Sequence, residues 1–138
     1  ASLIRRVGAP RFFGPARQNG TVQAWDEYER EHGYLRIELR VLAPDEGGRR
    51  KPIFSGYRSC WDIGNLHEGR PMLNDAPLRL ENAEVVAPGE SGTARIHPIA
   101  PQYWDGLQPG TTIHAHEGPR RIAVAVVLER VSPSEPQA

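Results

Sequence analysis

The sequence is short of most groups that chemistry at a protein site requires. One cysteine, Cys60, stands among 138 residues, so no disulfide can form within the chain. Lys51 is the only lysine among seventeen Lys and Arg residues. Seventeen Asp and Glu residues bring the formal net charge to zero, so no global field draws in nucleic acid or an acidic membrane. No apolar run approaches the roughly 20 residues of a membrane-spanning helix. Neither a GxxxxGK[ST] loop nor a strand–GxGxxG–helix unit is present, which removes the usual phosphate cradles. No nucleophile elbow and no paired-carboxylate motif stands out. The expectation is a noncatalytic protein without cofactor or nucleotide, in a reducing, cytoplasmic setting with no membrane.

The length suits one domain. The opening "ASLIRRVGAPRFFGPARQNG" has no period and several breakers. It is Arg-rich and acid-poor, as transit peptides are, but its Gly and Pro spoil an amphipathic helix. It reads as an arm. Within residues 1–33 the stretch "TVQAWDEYEREH" predicts a short helix over 21–32, with Thr21 as N-cap and Gly33 as its end. Val22, Trp25 and Tyr28 give it one apolar stripe.

The period then changes to two. Leu35, Ile37, Leu39 and Val41 alternate with Arg36, Glu38 and Arg40, as in a half-buried antiparallel strand. "PDEGG" reads as a turn. "KPIFSGYRSCW" reads as a strand with a bulge at Gly56, and "GNLHEGRPMLNDAP" as a long polar loop. Further strands are predicted around Leu78–Val86, in "GTARIHPIAP" and in "TTIHAHE". "RRIAVAVVLERV", apolar nearly throughout its middle, closes the domain. Residues 132–138 read as a disordered tail. Five to six closely spaced strands with little helix predict an all-β fold, a small antiparallel barrel or sandwich spanning residues 34–131.

Two candidate metal ligands, His114 and His116, share one face of a strand, but Glu117 points to the other. His67 and Cys60 add no spacing signature, so no metal is expected. Cys60, beside Trp61, reads as a packed, inert thiol. The stronger lead is the basic stretch Arg49, Arg50, Lys51 and Arg58, interleaved with Phe54 and Tyr57. Three readings are open for it: a phosphate-contacting surface, an anchor for an acidic protein patch, or a solvated turn paired with Glu46 or Asp62.

The order "LRVLAPDEGGRRKPIFSGYR", "VVAPGE", "IHPIA" and "GLQPGTTIHAHEGPRRIAVAVVLERV" resembles the C-terminal barrel of bacterial translation elongation factor Tu, over about Tyr34–Val131. The resemblance implies a six-stranded antiparallel Greek-key barrel. In that family the barrel catalyses nothing; it helps hold the T-stem of aminoacyl-tRNA, packs on the GTPase and middle domains, and meets the exchange factor. Its tRNA contacts involve the Gly-Gly-Arg turn, the Gly-Tyr-Arg strand and the closing hairpin. By resemblance these are Gly47, Gly48 and Arg49, then Gly56, Tyr57 and Arg58, then Glu117, Gly118 and Arg120. With Arg50, Lys51 and Arg121 they make the candidate binding set. A protein partner is favoured, with tRNA or another structured RNA as the alternative. The chain departs from the family in having no GTPase or middle domain. It has "SCWDIGNLHEG" after Gly-Tyr-Arg, and Ala123-Val124-Ala125 where the family has Gly-Ala-Gly. A barrel standing alone exposes surface that other domains would cover, and Phe12, Phe13, Val22, Trp25 and Tyr28 are candidates to cover it.

Overall fold

A computed structural model describes residues 15–134. It contains one helix, α1 (Pro15–His32), and eight strands. These are β1 (Tyr34–Val41), β2 (Ile53–Phe54), β3 (Arg58–His67), β4 (Arg70–Leu80), β5 (Val85–Val86), β6 (Ser91–Ile96), β7 (Thr112–Glu117) and β8 (Arg120–Val131). Six strands close an antiparallel barrel in the order β1-β6-β4-β3-β7-β8, with β8 returning to β1. β3, β4 and β6 are successive neighbours, and β1 lies beside β6 instead of β3; that crossing is the Greek key. The remaining pair, β2 and β5, forms a small separate sheet.

The barrel follows from alternation. Leu35, Ile37, Leu39 and Val41 are all buried, while Arg36, Glu38 and Arg40 face outward. Burial of each such side chain is worth about 1.5–3 kcal/mol. Trp61 and Trp104 fill the interior edge to face, with ring centroids 6.5 Å apart and neither exposed. On β8 the inward set is Ala123, Ala125 and Val127. Its outward Val126 and Leu128 stay 37% and 36% exposed, so the apolar run is not covered on both faces.

Three local expectations differ from the structure. The helix starts at Pro15 instead of Thr21 and runs through Gly20. Proline suits a first helical turn, and one internal glycine costs only about 1 kcal/mol. The stretch 64–77 is no loop but the greater part of the longest hairpin, β3–β4, turning at Glu68 and Gly69 with φ of 52° and 79°. It lacked a strand pattern because its outer half has no core to face: Leu66 through Pro71 are all exposed. "KPIFSGYRSCW" is two strands separated by a turn, in which Tyr57 N–H donates to the Phe54 carbonyl at 3.1 Å. Phe12, Phe13 and residues 135–138 lie outside the described residues. Among those described, no helix is long and apolar enough to cross a membrane.

Candidate interaction site

The Gly-Gly turn after β1 begins as a single 3-10 turn, Pro44–Glu46. Arg40 holds Glu46 in a two-pronged contact of 2.7 and 3.1 Å. This contact, with the Ala43 N–H, keeps the Glu46 carboxyl at about 2. Gly48 is required sterically, because a Cβ there would lie 2.1 Å from the Leu42 carbonyl oxygen. The close approach aims Arg49 back across the barrel end instead of into solvent.

Arg49 donates to the carbonyls of Lys51 (2.7 Å) and Pro52 (3.2 Å), to the Tyr57 hydroxyl (3.1 Å) and to Glu117. Tyr57 also donates to Glu117, and its ring lies 4.8 Å under the Arg49 guanidinium. Burial and the adjacent Glu117 push the Tyr57 hydroxyl pKa well above its ordinary value. Arg120 adds contacts to Glu117 (3.2 Å) and to the Gly48 carbonyl (3.4 Å). The Gly-Gly-Arg turn and the closing hairpin β7–β8 are thereby stapled together. The structure brings Arg49, Tyr57 and Arg120 into one cluster, and all three are engaged within the chain.

Arg58 lies on β3 and pairs with Asp75 of β4 at 2.9 Å. Cys60 donates its thiol to the same carboxylate at 3.0 Å. Burial, reinforced by Asp75, pushes the thiol up to about 11, so it is protonated and unreactive at neutral pH. Burial works to raise Asp75, but the hydrogen bonds from Cys60 and Arg58 hold its carboxyl below the ordinary range. Arg50, Lys51 and Arg121 are exposed and form no ion pair among the described residues. They are the cations available to a partner at this end of the barrel.

His114 and His116 point outward from β7, opposite Asp62 and Cys60 of β3. Burial and the charge of Arg121 lower His114. No cluster of three His, Cys, Asp or Glu side chains able to hold a metal occurs among the described residues.

A second cluster went unnoticed in the sequence. Arg36 of β1, Arg95 of β6 and Arg79 of β4 are direct cross-strand partners, making a three-arginine row on the barrel's outer surface. Like charges directly opposite repel, so such a row requires carboxylates. Glu81 accepts from Arg36 and Arg95, each at 2.9 Å. The Arg36 bond, acting against burial, keeps the Glu81 carboxyl at about 2. Glu129 of β8 also accepts from Arg36, at 3.1 Å, and helix α1 supplies the rest. Glu29 accepts from Arg95 (2.8 Å) and Arg79 (3.2 Å) and meets His97 Nε2 at 2.7 Å; Asp26 accepts from Arg79 at 2.8 Å. Burial lowers His97, against the opposing pull of Glu29. Tyr28 stacks on His97 at 4.6 Å and donates to the Pro98 carbonyl. Of the five residues nominated to cover the barrel, Trp25 and Tyr28 touch it, and Val22 is 39% exposed. A legible signal existed: outward arginines on predicted strands, preceded by "WDEYE".

No protein-family model matches the chain.

Proposed function

We propose that the chain is a noncatalytic binding barrel, similar to the C-terminal barrel of elongation factor Tu, whose Gly-Gly-Arg end contacts a partner protein. One observation carries the choice of partner. Of the seven candidate residues, Arg49, Tyr57, Arg58 and Arg120 are committed to contacts within the chain, leaving Arg50, Lys51 and Arg121 free. Three free cations displace about three counterions, against the roughly 6–10 phosphate contacts of a strongly salt-dependent nucleic-acid binder. A rigid platform with a few exposed cations suits a small acidic patch on a protein. The second reading, tRNA or structured RNA, rests on the likeness of the turn and closing hairpin to the family's RNA-contacting elements. This second reading is the one linked to translation.

The test is capture from an extract of the source organism, with and without ribonuclease, using the wild type and an Arg50→Glu, Lys51→Glu, Arg121→Glu variant. The expected result is a protein that survives nuclease and is lost with the variant. Small RNA that disappears on nuclease treatment, and with the variant, would favour the second reading. Equal capture by both forms would refute this end of the barrel as the site.

A further inference from the structure

We propose that the arginine row Arg36–Arg95–Arg79, with His97, is a docking face for an acidic helix of a partner protein, and that α1 occupies it as a displaceable stand-in.

Charge is divided across this interface. The barrel contributes the arginines and two carboxylates, Glu81 and Glu129, and both of these hold Arg36; the helix contributes the carboxylates that reach Arg79. Arg79 and His97 have carboxylate partners only on α1: Asp26 and Glu29 for the first, Glu29 for the second. Helix removal therefore leaves Arg79 without a carboxylate partner and Arg95 with Glu81 alone, in a row of three arginines set in register by the sheet. No such need arises from the fold itself. The six strands close on one another, and every buried core residue lies between Leu35 and Val127. Among the residues whose side chains are described, α1 contributes none of them. It is held mostly by side-chain ends: the carboxylates, Tyr28 against His97 and the Pro98 carbonyl, and Trp25 beneath Arg79 at 5.6 Å, with one backbone bond from the Ser134 N–H to the Arg30 carbonyl. An element attached by charge instead of core packing opens at low free-energy cost.

Space is already present beside the helix. A cleft of about 460 Å³ is lined by Arg36, Arg79, Arg95, Glu81, Asn82 and Glu129. In α1 the recognised pattern is an aromatic followed by an acid, repeated three residues on: Trp25-Asp26 and Tyr28-Glu29. Residues three apart lie on one helical face. The partner helix is expected to present that pattern, with its carboxylates spaced to reach Arg79 and Arg95. This surface shares no residue with the Gly-Gly-Arg end, so each stands or falls separately.

The test uses the full chain and a fluorescent peptide of residues 15–33, read by anisotropy. Wild type, its face occupied, is expected to bind the peptide weakly. An Asp26→Asn, Glu29→Gln variant is expected to bind it about tenfold more tightly, with that gain lost when salt rises to about 0.3 M. A peptide carrying the same two changes should not bind. Amide exchange of the Glu29→Gln chain provides the companion measurement: α1 amides should exchange faster while the β1, β4 and β6 amides keep their protection. A folded double variant that binds no better than wild type would overturn the proposal. So would loss of strand protection together with α1, or failure of the double variant to fold, since either makes α1 part of the barrel's cooperative unit.

Discussion

Arg49→Ala separates a structural role from a ligand-binding one. The sequence nominates Arg49 as a contact residue, whereas the folded chain spends it on four internal partners. Its side chain is 15% exposed and that of Glu117 is 26% exposed, so the pair lies between two regimes. An exposed ion pair is worth about 0.2–1 kcal/mol, and breaking a fully buried one costs about 3–5 kcal/mol. Loss of donors to the Lys51 and Pro52 carbonyls adds about 0.5–1.5 kcal/mol for each bond that water does not replace. The expected destabilisation is about 2–3 kcal/mol, read by urea denaturation. For a chain of this length that corresponds to a fall of roughly 6–15 °C in Tm. A double-mutant cycle with Glu117→Ala should show coupling of about 1–2 kcal/mol. Arg50→Ala, an exposed neighbour without an ion pair, should stay within about 0.5 kcal/mol of wild type. An Arg49→Ala loss no larger than that of Arg50→Ala would refute the staple and return Arg49 to the set of free cations.

Stability should be greatest between about pH 6.5 and 9. His97 is lowered from 6.5, so the unfolded chain takes up its proton first and stability falls as pH drops below that value; Glu81, held at about 2, removes more below 4.5. On the alkaline side Cys60 and Tyr28 are raised, to about 11 from 9.0 and about 12 from 10.0. Their contributions are complete below those ordinary values and are lost as pH rises toward the folded ones. Urea midpoints across pH check both limbs, and a flat profile from pH 4 to 7 would contradict the reading of His97. Iodoacetamide should modify Cys60 about a hundredfold more slowly than an ordinary thiol at neutral pH, since a shift from 9.0 to about 11 depletes the thiolate by that factor. Modification at the rate of a free thiol would show that Asp75 and burial do not hold the proton.

The barrel was legible wherever one face of a strand meets the core. β1 alternates without fault, and Ile113 and Ala115 are buried between outward-facing Thr112, His114 and His116, as the period of two requires. The outer part of the β3–β4 hairpin was not legible, because hydrophobic patterning records burial and those residues have none. Hydrogen bonding across the ribbon and the Glu68-Gly69 turn define it instead. The candidate site was legible as a place, since Arg49, Tyr57, Glu117 and Arg120 do converge. Which of its cations remain free was not legible, because that depends on carboxylates brought near by folding: Glu117 lies 68 residues from Arg49, and Asp75 lies 17 from Arg58. The α1 cluster was missed for the same reason: Glu29 meets Arg79, Arg95 and His97 only after the barrel has closed.

The position of β1 has a consequence for how the protein is made. Val41 pairs with Ala123, so β1, the earliest of the six barrel strands in the chain, waits for one synthesised roughly eighty residues later. At about 5–20 residues per second that interval is about 4–16 s. Its other neighbour, β6, also arrives late, pairing Arg40 with Ser91. Until β6 is made, Leu35, Ile37, Leu39 and Val41 have neither a ladder nor a core. The β3–β4 hairpin, whose partners are adjacent in the chain, can form meanwhile and offers β6 a template through Leu78–Leu80. Closure by β8 is then the event that turns an open sheet with two exposed edges into a barrel with none, and it removes the long strand edges through which a nascent chain would pair with another.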